Sequence, residues 1–381
     1  MTEAAPTADI AAAAGAEIPL RSGAQNKNAS RPDEADEGTM NENTSGEMSE
    51  SERYIRDLYT HLLARDPGER ELRDWVQAAE HGASPRDLFY HFLSSAEYKS
   101  RAGVRPGHPV GHYYSPVVNP AELVGPRRPR RDIEPDAIAG IDLSVTRMRN
   151  FWMQNADAIR ATPFPDSLDP ARRYYAVNDI FAIGDATILR AMILANRPRR
   201  IIEIGSGFSS AVMLDTIDEA HLDTTLLLIE PYTERLRSRL KAEDDARVEI
   251  LESPVQDVPP ETFSVLEAND ILFIDSTHVL KTGSDVHYEL FSILPVLKPG
   301  VVIHFHDIPF PFEYADEWIF ERRYSWNEAY AVRAFLMHNY AYRVEFMNSL
   351  FHSKAQDAIQ AIFPRFNVNP GASLWIRKCA Q

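Results

Sequence analysis

The sequence predicts an open α/β sheet with parallel strands, on three observations. First, Arg200-Ile-Ile-Glu203-Ile-Gly205-Ser206-Gly207-Phe-Ser209-Ser210 reads as a buried strand ending in a tight glycine turn that opens a helix. Second, the apolar runs 225–229, 269–274 and 300–303 read as further buried strands. They deliver Glu230, then Asp275-Ser276-Thr277-His278, then His304-Phe305-His306-Asp307 to their C-terminal ends, the edge where such sheets bind ligands. Third, residues 288–294 have helical spacing and Lys298-Pro299-Gly300 stops them, which gives a crossover long enough to join parallel strands.

In the first element, Ile201, Ile202 and Ile204 supply the β-branched run, while Gly205 and Gly207 let the backbone turn and approach a ligand closely. Ser209 or Ser210 is expected to cap a helix running through Met213 and Leu214. A dinucleotide site would place a third glycine where Ser210 stands, to admit a pyrophosphate at the helix N-terminus. The acidic Glu203, expected within the turn, would repel those phosphates and suits a cofactor with an amino group and a sulfonium. S-adenosylmethionine has both. Glu230, at the end of the second run, can accept both ribose hydroxyls. A lone GxG also fits an ordinary βα turn.

Several ordered motifs narrow that reading. IIEIGSGFSS, LLLIEP, FIDSTHVLKTGSDV, LKPGVVIHFHDI and WNEAYAVRAFL resemble the class I S-adenosylmethionine-dependent methyltransferases, specifically methyltransferase family 24. The resemblance begins near Gly111-His112-Tyr113-Tyr114 and continues through Tyr175-Ala-Val-Asn178-Asp-Ile-Phe181 and Gly184-Asp185-Ala186. It implies a Rossmann-like, mostly parallel sheet of seven strands over residues 136–381, and a cofactor site drawn from Glu203, Gly205, Ser206, Gly207, Glu230, Asp257 and Asp275. Asp257 stands where such enzymes bind the adenine amino group; a surface turn is the competing reading.

Residues 1–50 are acidic and almost free of aromatics, which predicts a disordered tail. Through residue 52 they hold eleven acids against three bases, half of the chain's net charge of −16. Residues 51–102 are expected to form a small all-α domain. Tyr54, Leu58 and Leu62, then Leu72, Trp75 and Val76, then Leu88, Phe89 and Phe92 trace three apolar faces, punctuated by Asp66-Pro67-Gly68 and Ser84-Pro85. This segment resembles the DUF4214 domain, which implies a docking or localising role toward a protein partner; a helical cap on the enzyme is the alternative. Residues 103–135 are read as a linker and lid, with Arg127-Arg128-Pro129-Arg130-Arg131 as solvated linker. A single cysteine, Cys379, excludes an intrachain disulfide or a cysteine zinc site. The acidic balance argues against a nucleic-acid partner, and no apolar run reaches the roughly 18 residues of a membrane span, so a cytoplasmic address is the default.

Transfer of a methyl group to a hydroxyl requires alignment of the acceptor and removal of its proton. His278 is the first choice of base, with His306 and Asp307 as partners in a relay. Asp275 and Asp307 could instead share a divalent cation, as the resemblance to sugar and catechol O-methyltransferases implies. His306, where those enzymes carry an acid or amide, departs from a magnesium set. Asn178, Asp185, the ring cluster His112 to Tyr114, and the polar members of Trp326-Asn327-Glu328 are further candidates for the pocket. The leading expectation is O-methylation of a sugar, glycan or secondary-metabolite hydroxyl. The alternatives are a metal-dependent reaction on the same scaffold and a non-catalytic protein acting through its helical domain.

Overall fold

The computed structural model describes residues 48–101, 112 and 114–380. Most of the expected acidic tail, Tyr113 and the stretch 102–111 lie outside the described residues. The chain divides into two compact units, Met1–Gly103 and Val104–Gln381.

In the smaller unit the three apolar faces close on one another as helices Glu50–Leu63, Glu69–Glu80 and Pro85–Ser94, followed by Ala96–Arg101. Ile55, Leu58, Tyr59, Leu63, Leu88 and Phe92 form its core. Ser84 caps the third helix by accepting from Asp87 N, with Pro85 at the first helical position, where its missing N–H costs nothing. Arg65 ties the ends together, donating to both Glu71 and Glu97.

The larger unit is built on a seven-stranded sheet of order β3-β2-β1-β4-β5-β7-β6. Its strands are β1 (Arg200–Ile204), β2 (Thr225–Ile229), β3 (Val248–Leu251), β4 (Ile271–Ile274), β5 (Val302–Phe305), β6 (Tyr342–Met347) and β7 (Leu374–Lys378). The first five are parallel, and β7 runs antiparallel between β5 and β6. Ile201, Ile202, Leu226, Leu272 and Ile303 are buried because helices cover both faces, so the strands read as continuous apolar runs instead of alternating. The helices Ile183–Asn196 and Phe208–Glu219 are correspondingly apolar on most sides. Strand order reverses at β1, between β2 and β4, and that switch point opens a crevice at the C-terminal edge. The crossover into β5 is helical as expected, with a π-turn at Glu289–Ile293.

Two expectations about local structure are corrected. Glu203 belongs to β1, fully buried, and is not in the turn. The N-cap falls at Gly207 and not at Ser209 or Ser210, whose hydroxyls both donate to the buried Glu203 carboxylate; Ser210, at the third helical position, also closes the helix start by accepting from Gly207 N at 3.0 Å. The arginine-rich segment is not free linker either. Arg128 and Arg131 both donate to Asp316, and Arg131 also donates to the carbonyl of Tyr314, which clasps the segment onto the larger unit.

One charged cluster inside this unit has no counterpart in the sequence reading. Arg173, 3 % exposed, donates to Asp244 at 2.8 Å, Asp215 at 3.0 Å and Asp218 at 2.8 Å. Asp215 accepts in addition from the backbone N–H groups of Arg173 and Tyr174. The cluster pins the chain before Ile183 to the helix Phe208–Glu219 and to the turn at Ala242–Ala246.

Candidate active site

The crevice holds a cavity of about 930 Å³. Its floor is the glycine turn. Gly205 sits at φ 79°, and a Cβ there would fall 1.8 Å from the carbonyl oxygen of Asp275, so only glycine lets the ends of β1 and β4 come this close. Glu230 reaches in from the end of β2, its carboxylate accepting from Ser206 N at 3.1 Å and from Tyr232 N at 2.8 Å. One lone pair on each oxygen is left over for a ligand. Glu203 lies beneath the turn, where burial pushes its carboxyl up to about 7 against the hydrogen bonds from Ser209 and Ser210.

The opposite wall comes from the ends of β4 and β5. His278 is 5 % exposed, and its Nδ1 lies 2.8 Å from Glu328 Oε2. Since an ionised carboxylate can only accept, Nδ1 carries the proton and Nε2 is the free ring nitrogen. Nε2 lies 3.7 Å from Asp275 and 3.8 Å from Asp307, both too long for hydrogen bonds. Burial disfavours charge on His278, but the bond to Glu328 and the fields of Glu328, Asp307 and Asp275 carry its pKa above the usual histidine value. His306 is buried as well, yet Asp275, Asp307, Asp185 and Glu328 outweigh the desolvation and push it up to about 9. Both His278 and Asp307 adopt left-handed backbone conformations, at φ 60° and 53°. Such strain costs about 1–2 kcal/mol per residue and concentrates where side chains must be aimed.

The structure thus brings Gly205, Ser206, Gly207, Glu230, Asp275, His278, His306 and Asp307 to one cavity, together with Asn178 and Asp185. Asp185 is a buried clasp, accepting from Ser373 and Asn348, with burial pushing it up to about 6. Asp257 lies on an exposed turn, and neither it nor the half-buried His112 nor the exposed Tyr114 is among the residues lining this cavity. Asn327 bonds the backbone of Leu280, so it shapes a loop and is not positioned as an acceptor contact. Sequence reasoning missed the role of Glu328. An acid in the first turn of the helix Glu328–Leu336 is what the helix dipole favours, so its position carried no signal of a buried partner. The aromatic wall was missed too: Trp326 packs 4.5 Å from His278 and stacks on Tyr324 at 4.4 Å, with Trp318 at 5.3 Å.

The donor set does not fit a resident cation. Among the described residues no three His, Cys, Asp or Glu side chains are grouped to hold one. No step is therefore routed through a metal.

The methyltransferase domain of family 24 matches residues 202–308, which run from β1 through the loop after β5. An uncharacterized protein of Archaeoglobus fulgidus is 33 % identical over 171 residues, covering 43 % of this chain and 75 % of that protein. The chain belongs to this methyltransferase family. Ahead of the methyltransferase domain, the DUF4214 domain, of unknown function, matches residues 39–102. The methyltransferase is similar to solved structures that include PaMTH1 of Podospora anserina, at 18 % identity, 61 % of this chain, 88 % of that chain and a TM-score of 0.34. Another is the O-methyltransferase TomG of Streptomyces achromogenes, at 16 % identity, 60 % and 90 % coverage and a TM-score of 0.36. No helix among the described residues is long and apolar enough to cross a membrane.

Proposed function

We propose that this chain transfers a methyl group from S-adenosylmethionine to a hydroxyl, with His278 as the general base. The observation that carries the reading is the buried pair of His278 Nδ1 and Glu328 at 2.8 Å, which leaves Nε2 facing a polar cavity whose floor is the glycine turn. Glu230, with a spare lone pair on each oxygen, is placed to hold ribose hydroxyls, and the approach at Gly205 leaves room for a ligand against bare backbone. S-adenosylmethionine, when bound, supplies an electrophilic methyl on a sulfonium.

The chain's part is alignment and proton removal. The hydroxyl proton passes to His278 Nε2 as the acceptor oxygen takes the methyl group. Glu328 fixes the tautomer and stabilises the imidazolium that results, as the third member of a base triad does. Asp275 and Asp307, each within 4 Å of Nε2, add a field of the same sign. The acceptor is a sugar, glycan or other hydroxyl-bearing small molecule on this reading.

Titration calorimetry with S-adenosylmethionine and its demethylated product tests the cofactor half. The wild type is expected to bind both, and Glu230→Ala to lose about 1.5–3 kcal/mol of affinity, the usual range for hydrogen bonds to a charged acceptor. Equal affinity in the two proteins, or no binding in the wild type, overturns the assignment.

A further inference from the structure

Beside the active-site cavity lies a second one of about 470 Å³, and the two share a wall made by Tyr324 and Trp326. Its far side is the arginine segment. Arg128 and Arg131 are spent on Asp316, and Val118 N donates to Ser325 Oγ, so the segment is held against the aromatic wall as a fixed side of the cavity. Arg127 and Arg130 are differently placed. They lie 3.7 Å from Glu122 and 3.8 Å from Asp132, beyond hydrogen-bond length, and their side chains are 71 % and 74 % exposed. Two guanidiniums are thereby left with donors to offer at the cavity rim.

The two cavities differ in charge. Asp179, Asp185, Glu230, Asp275, Asp307 and Glu317 line the first and outnumber its cations, Arg235, Arg322 and His306, so its balance is acidic. Arg127, Arg128 and Arg130 line the second, where the acid is Glu313, a carboxyl pushed up by burial and bonded by Tyr330. An anionic group would be repelled from the first and attracted to the second. The wall between them is a run of ring faces with Trp318 and Trp326 half-buried and Tyr324 36 % exposed. Such surfaces suit a ligand that offers C–H faces to the rings and hydroxyls to polar groups around them. A flat aromatic acceptor would call for a closed apolar slot, whereas the first cavity is open and largely polar.

We infer that the acceptor is an acidic oligosaccharide, with a neutral, hydroxyl-bearing ring under His278 and a neighbouring anionic unit held by Arg127 and Arg130 across the Tyr324 and Trp326 wall. This rests on the methyltransferase reading above and adds the substrate class. The full chain, saturated with S-adenosylhomocysteine, is tested on immobilised uronic-acid and sulfated oligosaccharides beside their neutral counterparts. Acidic glycans should be retained in preference to the neutral ones, and less so as salt is raised. The double variant Arg127→Ala with Arg130→Ala, exposed positions that should leave folding intact, should weaken retention by roughly tenfold. Retention of no glycan, equal retention of neutral ones, or acidic binding unchanged in the double variant overturns the inference. Titration of S-adenosylhomocysteine into the same preparations separates the failures. Lost cofactor binding in the wild type sinks the methyltransferase reading, while intact cofactor binding without acidic-glycan retention sinks this inference alone.

Discussion

Two buried charged clusters in the larger unit use similar residue types to opposite ends. Around Arg173 nearly every polar atom has a partner at hydrogen-bond distance, from 2.5 to 3.0 Å. Around His278 and His306 the facing charges stand 3.6–3.8 Å apart, and His306 Nδ1 and Glu328 Oε1 have no partner. A buried charge is tolerated when it is paired and bonded, and is costly otherwise. The Arg173 cluster meets that condition and holds segments together. The histidine cluster meets it only at the 2.8 Å bond to Glu328, and the shortfall leaves Nε2 free to take a proton from something else.

If the comparison is right, damage to each cluster has a different readout. The largest effect is expected at His278→Ala, which should lower methyl transfer by about 10²- to 10⁴-fold, the size of a lost general base. Cofactor affinity should barely change, and the fall in melting temperature, from a Glu328 left buried without its partner, should be smaller than the loss at the Arg173 cluster. A variant as active as the wild type would remove His278 from the chemistry.

Arg173→Ala should do the reverse. It leaves Asp215 and Asp244 buried without their counter-charge and is expected to cost about 3–5 kcal/mol of stability. Denaturant titration reads that loss, and activity per folded molecule should persist. If Arg173→Ala melts like the wild type, its tight pairing is not what holds those segments.

The dyad can be tested through pH. His278 must be neutral to accept a proton, and its pKa is raised, so kcat/KM should climb along a limb whose midpoint lies above the ordinary histidine value of about 6.5. Glu328→Gln removes the leading cause of the upward shift and should move that limb to lower pH. A merely structural Glu328 would lower the rate without moving the limb.

The smallest effect concerns stability. His306, at about 9 when folded, contributes stability that is fully present below its unfolded value near 6.5 and fades as pH rises through 9. Glu203, raised to about 7, erodes stability mainly between its unfolded value near 4.3 and pH 7. The fall in melting temperature between pH 7 and 9 should therefore be shallower in His306→Asn than in the wild type. Parallel slopes would mean that His306 is not held charged in this cluster.

The proposed cofactor half of the site was legible because it is local. Ile201 to Gly207 and Glu230 follow from strand periodicity, glycine geometry and the rule that ligands gather at the carboxyl edge. His278, His306 and Asp307 could be placed at that edge for the same reason. What could not be read was which of them would touch. Glu328 lies 50 residues beyond His278, and Arg173 lies 71 before Asp244; such pairings are set by the packing of distant segments and leave no periodic trace. Glu203 was misplaced for a related reason. Sequence showed an acid beside two serines without showing that burial would turn all three inward.

The contact at Gly205 has a further consequence for how this protein can change. With less than a methyl group's clearance between the proposed cofactor turn and the Asp275 carbonyl, the end of β1 and the start of the loop that carries His278 are packed directly against each other. The outer walls, such as 118–133 and 314–326, can in principle be exchanged to suit a new acceptor. The turn cannot be reshaped for a new cofactor without displacing Asp275, and with it the setting of His278. Acceptor choice is thus a replaceable fitting on this scaffold, while cofactor choice is machined into its frame.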